Sequence, residues 1–400
     1  MKDLVKDAEN TKPLSGVRVL EFGQIAAGPF AGSLLADLGA DVVKVERPND
    51  GDALRSWPPL SEGLNGDVFS ENFASLNRNK RSITADLKNE DDVAHLKRLI
   101  KVCDVLIENF RPGVMSRLGL GYEELSLLNS RLIYCSVSGF GQSGPKSNLG
   151  AFDVTVQGFS GLMSVTGEVG GAPVKCGVPV GDFCAGLYAG YTILARLFQC
   201  RETGEGAFID CTMIGGLIGV SALQTSEYFG TGKAQKALGS AHPRNAPYQA
   251  FQSSDEYFII AAGNDHLWFE VAAAVGLPGL IEDPRFKTQI LRAQNQSVLA
   301  ELLQKEFKKQ PSTFWLKEME KRGVPCSPIN SYPDVVNDDH IKHMNLVREL
   351  TLPNGTKTKT TAFPITMTGF DFEIYRPPPS LGAHSLEVTK EWLANPKKGL

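Results

Sequence analysis

The chain has 400 residues, too many for one ordinary hydrophobic core and enough for a large domain plus a smaller one. With 42% hydrophobic and 22% charged residues it has a globular composition, which excludes a disordered chain. A net charge of −4 gives no general footprint for nucleic acid, so an anionic ligand must be held by local basic residues. Seven cysteines, at 103, 135, 176, 184, 200, 211 and 326, are odd in number and lack C-x-x-C spacing. They read as reduced core thiols of an intracellular protein, and the expected compartment is cytoplasmic. Residues 1–12 are polar with mixed charge, unlike a signal or transit peptide. No apolar run reaches about 18 residues, so no membrane span is expected.

Val17 to Phe22 alternates like a strand, Pro29 suits the first turn of a helix, and Phe30 to Leu38 carries helical periodicity. Gly39-Ala40 closes that helix, and Asp41 to Val45 is a second strand. This is a βαβ unit of the mononucleotide-binding kind, although Gly23, Gly28 and Gly32 do not spell G-x-G-x-x-G. The second strand ends Glu46-Arg47-Pro48. Arg47 is placed either to pair with a phosphate or to form a surface pair with Glu46. Asn77-Arg78-Asn79-Lys80-Arg81-Ser82 is a basic cluster that reads as a phosphate contact or a solvated turn. Asp91 to Lys101 is an amphipathic helix, and Val102 to Ile107 is a buried strand ending Glu108-Asn109-Phe110-Arg111-Pro112-Gly113. Polar groups at the carboxyl end of a parallel strand are where α/β sheets bind ligands. Arg117 falls on the next helix, Tyr122 to Leu128 is helical, and Leu132 to Val137 is another strand before the Gly139–Pro145 loop.

The stretch Val174 to Gly186 holds a lone carboxylate, Asp182, after the apolar run Val178 to Gly181 and before a helix over Leu187 to Cys200. Asp182 reads as an N-cap or as a reactive carboxylate at a strand-to-helix turn. Gly181 and Gly186 leave room for another molecule near the backbone. Cys184 is either a nucleophile or, more simply, a core residue. Beyond a strand over Ala207 to Cys211, Ile214 to Leu223 starts a long helix. A second α+β segment follows, with a strand at Tyr257 to Ala261 and helices at Leu267 to Val275 and Val298 to Phe307. A hairpin is expected around Pro353-Asn354-Gly355, and a last helix near Leu386 to Leu393. The division expected is 1–215, 216–325 and 326–400, the last segment returning to the first.

Several motifs in order resemble the class III CoA-transferases (CaiB/BaiF type) and their α-methylacyl-CoA racemase relatives. They are Pro13-Leu-Ser-Gly-Val-Arg-Val-Leu20, Ala27-Gly-Pro29, the run from Leu38 to Pro48, Asn77 to Ser82, Asp104 to Gly113, Gly139 to Pro145, and Gly181-Asp182. The likeness covers about residues 13–393. It implies an α/β fold: a Rossmann-like domain with a parallel sheet, completed by the C-terminal segment, plus a smaller α+β domain, in an interlocked homodimer. It implies that Asp182 is catalytic and that Ala26, Ala27, Arg47, Ala85, Lys88, Asn109, Phe110, Arg111 and Arg117 line a CoA site. No metal and no tightly bound cofactor are expected; acyl-CoA and a small carboxylic acid are the expected substrates, with no nucleic acid or membrane as partner.

The implied activity is acyl-CoA:carboxylate CoA transfer through a mixed anhydride and an aspartyl-CoA thioester on Asp182. Racemase relatives place a His in a Gly-His-Asp run where this chain has Ala151-Phe152-Asp153, and Phe cannot transfer a proton. Racemase or epimerase activity and a non-catalytic CoA-binding role are the alternatives. Gln24 is a candidate oxyanion donor, and His242 a loop residue able to approach an acyl group. Stretches such as Gly239-Ser-Ala-His242 and Arg376-Pro-Pro-Pro379 are most similar to the succinyl-CoA:dicarboxylate (glutarate-type) transferases, with Arg244 as a partner for a distal carboxylate.

Overall fold

Strands buried on both faces need apolar residues at successive positions, and the first half of the chain supplies them. The computed structural model describes residues 12–394, so the N-terminal residues 1–11, read above for targeting signals, lie outside the described residues. Strand β1 (Arg18–Glu21) leads through helix α1 (Ala27–Asp37) to β2 (Asp41–Glu46). A short hairpin, β3 (Leu60–Glu62) and β4 (Val68–Ser70), precedes α2 (Glu71–Asn77) and β5 (Arg81–Thr84). Then come α3 (Glu90–Ile100), β6 (Val105–Glu108), α4 (Val114–Arg117), α5 (Tyr122–Leu128) and β7 (Ile133–Ser138). Helix α6 (Asp153–Phe159), the long α7 (Val180–Thr203), β8 (Ala207–Thr212), α8 (Met213–Val220) and α9 (Ala222–Thr231) follow. The helix expected from Ile214 is thus two helices, broken at Ser221.

The six-stranded sheet runs β5-β2-β1-β6-β7-β8 with every pair parallel. Chain order reverses between β1 and β6, which opens a crevice at their carboxyl ends. Side chains alternate between two cores, as the pleat requires. Val19, Val42, Val105, Ile133 and Cys135 pack with α1 and α7 on one face. Leu20, Val43, Leu106 and Tyr134 pack with α3 and α5 on the other. There Val388 and Trp392 of the C-terminal helix Ser385–Ala394 close the second core. Trp392 donates its indole N–H to Asp41 at 2.7 Å. Gly186 serves a packing purpose inside the protein: a Cβ there would lie 2.9 Å from the Ala27 carbonyl oxygen, so α7 can approach α1 only with glycine.

The chain forms two compact units. The larger holds the residues up to Leu162, Cys176–Gly232 and those from His340 onward; the smaller holds Met163–Lys175 and Lys233–Asp339. In the smaller unit β9 (Tyr248–Gln252), β10 (Tyr257–Ala261) and β11 (Cys326–Pro328) form an antiparallel sheet over a core of Phe251, Phe258, Trp268 and Phe307. In the larger unit β12 (Val347–Thr351) and β13 (Lys357–Thr361) form the hairpin expected around Asn354-Gly355.

The basic run Asn77–Ser82 is neither a phosphate contact nor a solvated turn. Its cations are buried and paired with distant carboxylates. Arg78 reaches Asp37 at 2.5 Å, Lys80 reaches Glu21 at 2.7 Å, and Arg81 pairs with Asp41, Glu387 and Glu391. Glu21 is wholly buried and also pairs with Lys44 at 3.0 Å, while Lys44 pairs with Asp52 at 2.8 Å. A Cβ at Gly32 would collide with Glu21 Oε2, so this glycine makes space for the carboxylate. Breaking one partner of a buried ion group leaves an uncompensated charge, a loss of about 3–5 kcal/mol. Glu21→Gln strips Lys80 of its carboxylate and is expected to lower unfolding stability by about that amount in urea titrations; a loss below ~1 kcal/mol would overturn this account of the cluster.

Candidate active site

The site grows from three strand ends. After β1 the chain turns through Gly23-Gln24-Ile25-Ala26 before α1 begins at Ala27. Ile25 sits in this turn at φ 65°, a left-handed conformation that a β-branched residue rarely adopts. After β6, Asn109 reaches back across the strand-order reversal. Its side chain accepts from the Gln24 N–H and donates to the Gln24 carbonyl, both at 2.9 Å. This reciprocal pair joins the ends of β1 and β6. The end of β7 adds Ser138 and Gly139.

These elements enclose a cavity of about 410 Å³. Ala26, Ala27, Asn109, Phe110, Arg111 and Asp182 all line it, with Gln24, Phe152 and Asp153 beside them. Asp182 is not at a strand-to-helix turn. The helix already starts at Val180, and Asp182 is in its first turn. It is half-buried, and its carboxyl is pushed up to about 6, first by burial and then by the neighbouring Asp153 charge. An anion is favoured at a helix N-terminus, but here burial outweighs that effect. Among the described residues no cation forms an ion pair with Asp182.

Asp153 holds the start of α7 in place. One oxygen accepts from the Gly181 N–H at 2.8 Å, and the other accepts from the Gln157 amide at 2.6 Å. The Gln157 side-chain oxygen Oε1 in turn accepts from the Cys176 N–H at 2.8 Å. The sequence signalled this only weakly, as an Asp followed four residues later by Gln at a helix start. Cys184 lies one turn into α7, but burial and Asp153 push its thiol up, which disfavours the thiolate. Phe152, at the position of the racemase His, is 72% exposed and lines the cavity.

The other residues read for the CoA site lie elsewhere in the larger unit. Arg47 is exposed just past β2, and Glu46 pairs with Arg55 through two 2.7 Å contacts, so the alternative reading of Arg47 as a surface partner of Glu46 does not hold. Ala85 is buried past β5 and donates its N–H to the Glu46 carbonyl at 2.9 Å. Lys88 is exposed in the following turn, and Arg117 is exposed at the end of α4. None of these four lines the cavity. His242 belongs to the smaller unit, where its Nδ1 accepts from the Arg244 and Asn245 N–H groups at 3.1 Å. Among the described residues no cluster of His, Cys, Asp and Glu is arranged to hold a metal, and no helix is long and apolar enough to cross a membrane.

The chain matches the family model of CoA-transferase family III over residues 14–385. It is 39% identical to the succinyl-CoA:glutarate CoA-transferase of Mus musculus, over 97% of this chain and 88% of that protein. It is 37% identical to the acetyl-CoA:oxalate CoA-transferase of Acetobacter aceti, over 96% of each. The crystal structure of a CaiB/BaiF family protein from Brucella suis has a TM-score of 0.85 and 38% identity, covering 96% of this chain and 100% of that one. On the strength of that full-length match, the chain belongs to CoA-transferase family III and is an enzyme that transfers CoA.

Proposed function

We propose that this enzyme moves CoA between two small carboxylic acids, with Asp182 as the nucleophile. The observation that carries the reading is a half-buried carboxylate of raised pKa facing a cavity at the sheet's reversal point. In the first step an Asp182 oxygen attacks the thioester carbonyl; the C–S bond breaks, giving a mixed anhydride and CoA thiolate. The thiolate then attacks the aspartyl carbonyl, the bond from the aspartyl carbonyl carbon to the bridging oxygen breaks, and the donor leaves as a carboxylate carrying that oxygen. The acceptor carboxylate attacks the aspartyl-CoA thioester carbonyl, the C–S bond breaks, and a second mixed anhydride forms; the thiolate then attacks the acceptor acyl carbonyl, whose bond to the bridging oxygen breaks, giving the new acyl-CoA and the free Asp182 carboxylate. No proton is gained or lost overall, and no metal or bound cofactor is called for.

In this reading Ala26, Ala27, Asn109, Phe110 and Arg111 hold the thioester end of CoA, while Ala85 and the exposed Arg47, Lys88 and Arg117 meet its more distant parts. The donor is a short-chain dicarboxylate such as succinate, in line with the mouse relative's name; the oxalate-using relative at similar identity supports a small acid as acceptor. Racemase chemistry has no support at Phe152, which carries no proton-transferring group. An interlocked homodimer belongs to the same reading. It is supported by Leu187, Tyr191 and Phe198, large apolar side chains exposed on α7, whose opposite face is core.

Incubated with succinyl-CoA and a panel of acids, the protein is expected to form new acyl-CoA species, and Asp182→Ala to lose at least about 10³-fold in rate. Acid-quenched intact protein should carry one CoA, less water, on the peptide containing Asp182. Full turnover by Asp182→Ala would end the mechanism. Because the nucleophile must be ionised and its pKa is raised to about 6, kcat/KM is expected to rise with pH through about 6 and level off above it. Asp153→Asn removes the like charge and should move that limb to lower pH, burial keeping it above the ordinary range; an unmoved limb would separate Asp153 from the titration. Light scattering should give twice the chain mass, and a monomer that turns over normally would remove the dimer.

A further inference from the structure

The turn that forms the cavity's edge is held from beneath by buried charge. Gly23 offers its carbonyl to the Lys44 ammonium at 2.6 Å. The Ile25 N–H donates to both oxygens of Asp52, at 3.1 and 3.2 Å. Asp52 and Lys44 are joined by an ion pair in which neither side chain is exposed. Asp52 is itself fixed: its N–H donates to Glu46 Oε2 at 3.0 Å, and one oxygen accepts from the Leu54 N–H at 3.0 Å. Arg55 clamps the same Glu46 and donates to the Pro379 carbonyl at 3.1 Å, tying the C-terminal segment to this floor. Ile25 stands in the left-handed region, a strain that persists only where the surroundings enforce it.

We propose that Asp52 is a positioning residue for CoA transfer, holding the Gln24–Ile25–Ala26 turn, through the Ile25 amide and Lys44, in the one conformation that frames the reacting thioester. Resting on the function proposed above, it adds a residue outside the cavity that governs the rate of the chemical step. Asp52 makes no contact with the cavity, so its loss acts through the turn. A small displacement of reacting groups costs up to about 10²-fold in rate.

The test compares Asp52→Asn, Ile25→Gly and the double variant. Asp52→Asn is expected to lower kcat about 10–100-fold while KM for acyl-CoA moves less than ~3-fold. In the Ile25→Gly background the same change should cost less than about 3-fold, because glycine holds a positive φ without enforcement. An equal penalty in both backgrounds, or a kcat for Asp52→Asn within ~2-fold of the unmutated protein, overturns the proposal. Hydrogen exchange over residues 23–27 reports the turn whether or not the enzyme has the proposed activity. It should quicken at least about 10-fold in Asp52→Asn, and unchanged exchange likewise overturns the proposal. No CoA exchange by the unmutated protein, with faster turn exchange in Asp52→Asn, would sink the function and leave the positioning role standing. Should Asp52→Asn not fold, the charge-neutral pair Lys44→Met with Asp52→Asn takes its place under the same criteria.

Discussion

A carboxylate buried between two lysines organises the sheet's working edge. Glu21 ends β1 with no exposure and meets Lys44 from β2 and Lys80 from the segment before β5. Each ion would be costly to bury alone, and the three are tolerable only together. The consequence is geometric. Lys80 donates to the Pro29 carbonyl at 2.8 Å, and Lys44 to the Gly23 carbonyl at 2.6 Å, so the cluster grips both ends of the turn that enters α1. An apolar floor could fill the same volume but offers no directional hold on two carbonyl oxygens. The cavity's edge is therefore fixed by charge, while the strands around it are fixed by apolar packing.

Where these partners come from explains what the sequence conceals. The βαβ unit, the amphipathic helix at Glu90–Ile100 and the hairpin at Asn354 are local patterns, and alternation, helical period and turn residues expose them to within a few positions. The basic run at 77–82 has no such local answer. Its carboxylates are Asp37, Glu21, Asp41, Glu387 and Glu391, two of them some 300 residues away, so sequence alone leaves only surface readings. The start of α7 is hidden differently. Pro179, Gly181 and Gly186 are poor helix residues that read as a strand and a breaker, but Gly186 is demanded by contact with α1, and packing overrides propensity. Asp52 and Asp153 were also out of reach, since an Asp in a loop or at a helix start is ordinary until its distant partners are known.

At the start of α7 the electrostatics separate carboxylate from thiol. Asp182 and Cys184 share one helix turn and the same neighbouring Asp153, and burial acts on both. Burial and a like charge raise both pKa values, but from different starting points. A carboxyl raised to about 6 is still mostly ionised near neutral pH. A thiol raised above its ordinary value, about 8.5 in model peptides, is mostly protonated there. The same surroundings thus keep one group available as an anion and silence the other.

The size of the Asp182 shift also bears on the proposed route. In a mixed anhydride the thiolate can attack either carbonyl, and the weaker base leaves more readily. With Asp182 near 6 and a substrate acid near the ordinary carboxylate value of about 4, attack on the aspartyl carbonyl expels the substrate acid more easily. That favours the aspartyl-CoA thioester in the first half of the cycle. In the second half the same preference works backwards, because product forms only when Asp182 is the leaving group. A large upward shift would therefore trap the enzyme as its thioester, and a carboxyl of ordinary pKa would be a weaker nucleophile towards the incoming acyl-CoA. A moderate shift serves both halves, and the structure produces it with partial burial and one neighbouring carboxylate already committed to the Gly181 and Gln157 hydrogen bonds.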